Sequence, residues 1–386
     1  MTSAVSGAET GRLDRDVARA SARIVSVIGA GSWGTALAIM LARNGARVRL
    51  WGRDAGQVQR MLDEGCNARY LPGCPLPGWV TPTARLGDAL RAMPCPPAED
   101  PHREAVASPG GAPPVLPDIL IAVPSRAFRE TLVAIRDQIR GPGEHGERPP
   151  PLELCWATKG FEPGTGRLLH EVAADVLPEL RARAVLSGPT FAAELARGLP
   201  AAITVAADAT DPAARWVGHL AGPTLRVYTS DDLPGVGVGG AVKNVLAIAA
   251  GISDAIGFGA NARAALISRG LHEMSRLGTA LGGRRETLMG LAGLGDLVLT
   301  CTDDQSRNRR FGLALGAGRS ARAAAHEIGQ VVEGAVAARE VVRRAREQGL
   351  EMPLCEHVLA VLDGELTPRE AVFRLYARRL GEESRL

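Results

Sequence analysis

Two lysines, one aspartate and an arginine–asparagine pair are the residues of this 386-residue chain whose surroundings need a chemical reason. Lys243, with Asn244 beside it, interrupts the apolar, glycine-rich run GVGVGGAVKNVLAIAAGI (235–252). Asp296 lies in a second such stretch, GLAGLGDLVLTC, which reads as a turn. Lysine and aspartate are seldom buried unpaired, so a Lys243–Asp296 contact is expected; a purely structural ion pair is the alternative reading. Arg307 and Asn308, in DDQSRNRRFG, combine a bidentate cationic donor with an amide, which suits a phosphate. A solvated basic turn is the alternative there. Lys159 closes the strand-like LELCWATKG, and the turn SGPT (187–190) closes another strand.

These residues have to be positioned by recognisable elements. RIVSVIGAGSWGTALAIMLARNGARVRLWGRD (23–54) reads as a complete βαβ unit: strand Ile24–Ile28, helix Thr35–Arg43 stopped by Asn44-Gly45, and strand Val48–Trp51. Gly29, Gly31 and Gly34 form G-x-G-x-x-G between strand and helix, the context in which that motif binds a dinucleotide. Gly29 permits the tight turn, Gly31 the approach of a pyrophosphate, and Gly34 the packing of helix on strand. At the tip of the second strand stand Gly52 and Arg53, where an NAD-specific site usually has an acid. Arg53 suits a 2′-phosphate, so NADP(H) is expected as the preferred cofactor, with NAD(H) possible. DILIAVPS, LELCWATKG, RAVLSGPT, AAITVA and LRVYTS read as further strands alternating with helices, which predicts a Rossmann-like, doubly wound, mostly parallel sheet. In such a sheet ligands sit at the carboxyl ends of strands, where Lys159 and SGPT fall.

Beyond about residue 232 strand signals stop. Ile267, Leu271, Met274, Leu277 and Leu281 recur at helical spacing, and Thr367, Pro368 and Glu370 open a helix as N-cap, first-turn proline and capping-box partner. The expected organisation is a disordered leader (1–22), a dinucleotide-binding domain (23–232) carrying a Pro-rich surface insertion (93–117), and an all-helical substrate and catalytic domain (233–386).

Composition narrows the class. A net charge of +3, from 45 Lys and Arg against 42 Asp and Glu, gives no reason to expect nucleic acid or an anionic membrane as partner. The six cysteines form no C-x-x-C pair, which argues against a zinc ribbon or disulfide framework and for the cytoplasm. The run around Lys243 resembles a membrane span, but a lysine near the bilayer centre costs about 2.5–3.5 kcal/mol on insertion scales. No membrane span is expected; a buried helix is.

In this order, GAGSWGTALA, VPS, ATKG, SGPTFA, GGAVKN, GFGANARAALI, GLAGLGDLVLTC and SRNRRFG resemble the NAD(P)-dependent glycerol-3-phosphate dehydrogenases of the bacterial type, from about Arg23 to about Arg378. The resemblance implies reversible NAD(P)H-dependent reduction of dihydroxyacetone phosphate to sn-glycerol 3-phosphate, supplying glycerophospholipid synthesis, by a homodimer. It implies Lys243 as catalytic proton donor and acceptor, Lys159 touching substrate and cofactor, and Asp296 with Asn244 in the network around Lys243. Gly188 and Thr190 become substrate contacts. Ser306, Arg307 and Asn308 become the phosphate-binding turn, Arg307 also reaching the cofactor. Ser32, Trp33, Arg53, Ala192, Val331 and Glu333 become cofactor positions. The apolar run would lower the pKa of Lys243 and Asp296 would oppose this. A related dehydrogenase of another hydroxy acid would need a carboxylate clamp in place of Arg307-Asn308. A non-catalytic nucleotide sensor would have no use for the lysine–aspartate set.

Overall fold

The computed structural model describes residues 23–92, 116–140 and 152–377. The leader, nearly all of the insertion and the stretch RGPGEHGERPPP beyond Arg140 lie outside the described residues. Eight strands form one sheet: β1 (Ile24–Ile28), β2 (Arg47–Trp51), β3 (Val80–Thr83), β4 (Asp118–Ile121), β5 (Glu153–Trp156), β6 (Ala182–Ser187), β7 (Ala201–Ala207) and β8 (Leu225–Ser230). Their order is β3-β2-β1-β4-β5-β6-β7-β8. β1 is buried along its whole length, as a central strand covered on both faces must be. All pairings are parallel except β6 with β7. The sheet is therefore mostly parallel as expected, with a reversal at β7 that its pattern does not announce. The short β3 escaped the sequence reading because it contains Pro82, which an edge strand tolerates.

Helices α1 (Ser32–Arg43), α2 (Ala55–Glu64), α3 (Leu86–Leu90), α4 (Phe128–Arg140), α5 (Leu169–Val176), α6 (Ala192–Arg197) and α7 (Thr210–Leu220) accompany the strands. Residues of α1, α6 and α7 build the core on one face of the sheet, and residues of α3, α4 and α5 the core on the other. The arrangement is doubly wound.

The rest is helical: α8 (Leu233–Ala255), α9 (Gly259–Ala280), α10 (Arg285–Met289), α11 (Asp296–Thr302), α12 (Arg307–Gly316), α13 (Ala321–Ile328), α14 (Glu333–Glu347), α15 (Pro353–Leu362) and α16 (Pro368–Tyr376). Its axis is α8, the run that carries Lys243. By length and composition α8 could cross a membrane, yet 94% of its apolar window is buried, under α9, α11, α12 and α14 among others. α16 has the capping box expected at Thr367 and Glu370.

Glycines let the neighbours of α8 come close. A Cβ at Gly239 would stand 2.7 Å from the Ala292 carbonyl oxygen, and one at Gly251 would overlap the backbone of α12. A Cβ at Gly334, in the first turn of α14, would overlap the Asn244 carbonyl. The stretch before Asp296 is not the turn expected from its glycines. Residues Leu291–Gly295 form one wide helical turn that runs directly into α11, with Asp296 its first residue. Five residues per wide turn displace the helix relative to a regular one, a feature often found at functional sites.

Candidate active site

Lys243 projects from the middle of α8 and is 7% exposed; Asp296 is 1% exposed. The lysine Nζ donates to Asp296 Oδ1 at 2.5 Å and to Thr300 Oγ1 at 3.0 Å. The expected Lys243–Asp296 pair therefore forms. Its second partner was not foreseen: Lys159, just past β5, donates from Nζ to Asp296 Oδ2 at 2.6 Å. One carboxylate thus ties a lysine of the helical region to a lysine at the carboxyl edge of the sheet. Thr300 was also missed. It lies four residues after Asp296 on α11, on the same helix face, a relation hidden by reading that stretch as a turn.

Burial and charge compete at Lys243. Burial acts first and most strongly, the Asp296 charge opposes it, and the Lys159 charge reinforces it; the ammonium pKa falls to about 8. For Asp296 burial pushes the other way, but the charges of Lys159 and Lys243 outweigh it and hold the carboxyl below its ordinary value. The site therefore holds a lysine poised near neutrality against an ionised aspartate.

Asn244 and Asn308 do more than stand beside this cluster. Asn244 Nδ2 donates to Gly240 O at 3.1 Å, Asn308 Nδ2 donates to Asn244 Oδ1 at 2.9 Å, and Asn308 Oδ1 accepts from Gly334 N at 2.9 Å. The two amides lock α8, α12 and the start of α14 together, and among the described residues each keeps one N–H uncommitted. Ser306 accepts from Arg309 N as the N-cap of α12 and is buried, so its hydroxyl is tied to helix capping. Arg309 pairs with Asp254 at 2.7 Å and belongs to the framework. Arg307 instead reaches out and donates to Gln330 Oε1 at 3.0 Å. Ser32 Oγ lies 3.4 Å from the same oxygen, which joins the glycine-rich turn to the helical region. Gln330, one residue before Val331, was not foreseen; only the position of GQVVEG in the chain pointed near it. Glu333 Oε2 accepts from Ser125 Oγ at 3.0 Å beyond β4, and burial raises its pKa.

The glycine-rich turn behaves as its motif requires. Gly29 has φ +125°, and a Cβ there would meet the Ala122 backbone at 2.7 Å. A Cβ at Gly34 would overlap the Gly29 carbonyl, whereas one at Gly31 would meet nothing within 4 Å. Packing therefore demands glycine at 29 and 34, and approach from outside is what glycine at 31 permits. α1 begins at Gly31 with no side-chain cap and no acid in its first turn, so its N–H groups and positive dipole end suit a phosphate. Two buried amides secure the turn: Gln57 Nε2 and Asn67 Nδ2 donate to Ala30 O at 2.8 and 3.0 Å. These anchors were missed because nothing local in the sequence links positions 57 and 67 to position 30. Trp33 and Ala192, the first residue of α6, both pack partly buried against the core on one face of the sheet.

At the tip of β2, Arg53 is exposed. Asp54 is committed to capping α2, accepting from Gln57 N at 3.1 Å, and its other oxygen lies 3.8 Å from Arg69. A ribose hydroxyl would have to compete with that cap, whereas Arg53 stands open to a 2′-phosphate. In the SGPT turn, Gly188 (φ +154°) packs against the backbone of β7, and Thr190 Oγ1 donates to Gly188 O at 3.3 Å. A Cβ at Gly295 would lie 3.5 Å from Pro189, which places this turn beside the wide turn leading to Asp296.

A doubly wound sheet, an uncapped glycine-rich helix start and a lysine pair on one carboxylate at the carboxyl edge define a nicotinamide-nucleotide-dependent dehydrogenase with a helical substrate region. Comparison with known proteins narrows the class. The N-terminal model of NAD-dependent glycerol-3-phosphate dehydrogenase matches residues 24–94 and 116–213, and the C-terminal model of the same family matches 232–373. Glycerol-3-phosphate dehydrogenase (NAD(P)+) of Thioalkalivibrio sulfidiphilus is 52% identical over 357 residues, covering 92% of this chain and 97% of the relative. That of Stenotrophomonas maltophilia is 49% identical over 354 residues, covering 92% and 94%. The crystal structure of glycerol-3-phosphate dehydrogenase from Coxiella burnetii superposes with a TM-score of 0.81 at 43% identity, over 92% of this chain and 99% of that one. A D-mandelate dehydrogenase, at 11% identity and a TM-score of 0.54, shares the fold alone. The chain belongs to the NAD-dependent glycerol-3-phosphate dehydrogenase family and is an oxidoreductase. The readings as another hydroxy-acid dehydrogenase or as a sensor fall away.

Proposed function

We propose that the chain reduces dihydroxyacetone phosphate reversibly to sn-glycerol 3-phosphate for glycerophospholipid synthesis, with Lys243 as proton donor. The observation that carries this assignment is the buried Lys243–Asp296–Lys159 cluster, reached from the same carboxyl edge of the sheet as the glycine-rich turn. A nicotinamide nucleotide held through its pyrophosphate at the glycine-rich turn would supply the hydride that reduces C2 of the ketone. Lys243 delivers a proton to the oxygen on C2, and a pKa of about 8 lets it take the proton back in the oxidative direction. Asp296 fixes Nζ in position, and Lys159 adds positive charge where negative charge develops. Arg307, with the free N–H of Asn308, holds the phosphate, while Gly188, Thr190 and Ser306 border the substrate.

Ser32, Trp33, Ala192, Val331 and Glu333 line the cofactor, and Arg53 takes its 2′-phosphate, which favours NADP(H) and still allows NAD(H). A cytoplasmic homodimer is the accompanying reading; the free thiols of Cys66, Cys74, Cys155, Cys301 and Cys355 support the reducing compartment.

The test is turnover of NADPH with dihydroxyacetone phosphate. Lys243→Ala should lose about 10²–10⁴-fold in kcat, with NADPH binding, followed by fluorescence titration, unchanged. A variant with wild-type kcat would remove Lys243 from the chemistry.

A further inference from the structure

Reduction of a ketone by hydride consumes one proton per turnover. In the reading above Lys243 supplies it and is left as a neutral amine. That amine is 7% exposed, on a helix buried under its neighbours, so its own contact with solvent is slight and a built route can return the proton. Lys159 is the neighbouring ammonium, and its charge is felt at Lys243 across the shared Asp296.

Lys159 also lines a small cavity bounded by β5, β6, α5 and α8. The walls are mostly apolar. The polar side chains on them are Thr158, Lys159, His170 and Ser187. Ser187 is 1% exposed and its Oγ has no hydrogen-bond partner among the described residues. A buried hydroxyl left unpaired costs about 1–3 kcal/mol, so such a group is normally satisfied by water where there is room. The cavity has room for about one water molecule. Thr158 donates to Val123 O at 2.8 Å and keeps its oxygen lone pairs as acceptors. His170, in the first turn of α5, is half-buried and links the cavity to the surface.

We propose that this cavity is the path by which protons return to the lysine pair, with a water held on Ser187 as the carrier and His170 as the exchange point with solvent. It rests on Lys243 being the proton donor. Each step moves one proton and no electrons. Lys159 passes a proton to the neutral Lys243 amine, the water on Ser187 passes one to Lys159, and His170 replaces it, taking one from solvent on its outer nitrogen. A neutral imidazole can do this because it has one donor and one acceptor nitrogen. Burial holds His170 below its ordinary pKa, the charges of Glu171, Asp208 and Asp232 work against burial, and Arg183 works with it. The remaining charge facing it across the cavity is Lys159.

The experiment measures kcat for NADPH-driven reduction at saturating substrates, in dilute buffer and with added imidazole, for wild type, His170→Leu and Ser187→Ala. Wild type should be insensitive to imidazole. His170→Leu should lose at least about tenfold in kcat, with both KM values within about twofold, and imidazole should restore most of the loss. Ser187→Ala should show a smaller loss, and the solvent deuterium effect on kcat should rise in both variants. His170→Gln keeps a polar side chain of similar reach but cannot relay a proton; it covers the case in which leucine impairs folding and should behave as His170→Leu does. Unchanged kcat in His170→Gln, or a loss that imidazole does not restore, would overturn the relay. Absence of turnover in the wild type would instead overturn the reaction on which the relay rests.

Discussion

Lys243 shows how one residue's chemistry is set by two opposed terms. Desolvation inside α8 destabilises its charge, the Asp296 carboxylate 2.5 Å away stabilises it, and the result is a pKa of about 8. Either term alone would be unsuitable. An exposed lysine near 10.5 holds its proton too firmly, and a buried lysine without Asp296 would lose it before reaching the substrate. At Arg53 the argument is simpler, since the carboxylate next to it is occupied by a helix cap. Arg53→Glu should therefore raise KM for NADPH more than for NADH, measured in parallel initial-rate series. Equal effects would show that Arg53 does not read the 2′-phosphate. Both residues were legible in the sequence because each breaks a local pattern, a charge in an apolar run and a base where an acid is usual. Gln330 and Thr300 break no pattern, and only the fold brings them to Ser32, Arg307 and Lys243.

Among elements, α8 was the most legible and α11 the least. Glycines in a helix lower its propensity, yet here they are where α12, α14 and the wide turn before α11 come close to α8. The wide turn was hidden because Gly-Leu-Gly reads locally as a break, and packing against Gly239 overrides that preference. Gly251→Ala should press a methyl into the backbone of α12 and destabilise the protein by about 1–3 kcal/mol, seen in urea unfolding. By shifting Arg307 it should also raise KM for dihydroxyacetone phosphate more than KM for NADPH. Unaltered stability would contradict the packing. Glu273, on α9, makes a second element-level case. It is 3% exposed and accepts from Leu354 N and Cys355 N at 2.7 and 3.3 Å, at the start of α15. Burial nevertheless raises its pKa from 4.5 to about 7. Protonation is then favoured in the folded state, so its stabilisation is fully present below pH 4.5 and is lost as the pH rises through about 7. At about 1.4 kcal/mol per pKa unit this is on the order of 3 kcal/mol. Glu273→Gln should flatten that part of the stability profile, measured by unfolding between pH 5 and 8, whereas an unchanged slope would assign it to other groups.

At the scale of the whole molecule, the polar links between the sheet and the helical region include Lys159 to Asp296, Ser125 to Glu333, Gly164 to Glu340, Gln305 to Glu194, and Ser32 with Arg307 on Gln330. Strand and helix periodicities revealed the two regions, because each pattern is local. The links joining them are pairings over long sequence separations, which periodicity does not carry. The reversal at β7 was invisible for the same reason, whereas the edge strand β3 was masked locally by Pro82. Asp296 is the link that matters most, since it ties Lys243 of the helical region to Lys159 at the edge of the sheet.

The pH dependence of kcat/KM for NADPH-driven reduction of dihydroxyacetone phosphate, measured for the wild type and Asp296→Asn, tests this directly, because that ratio reports groups of the free enzyme. In the wild type the reduction should decline as the pH rises through about 8, where Lys243 loses its proton, and glycerol 3-phosphate oxidation should rise over the same range. In Asp296→Asn the opposing charge is gone while burial and Lys159 remain, so the break should move to lower pH. A wild-type profile without a break near 8, or a break at the same pH in the variant, would contradict the account.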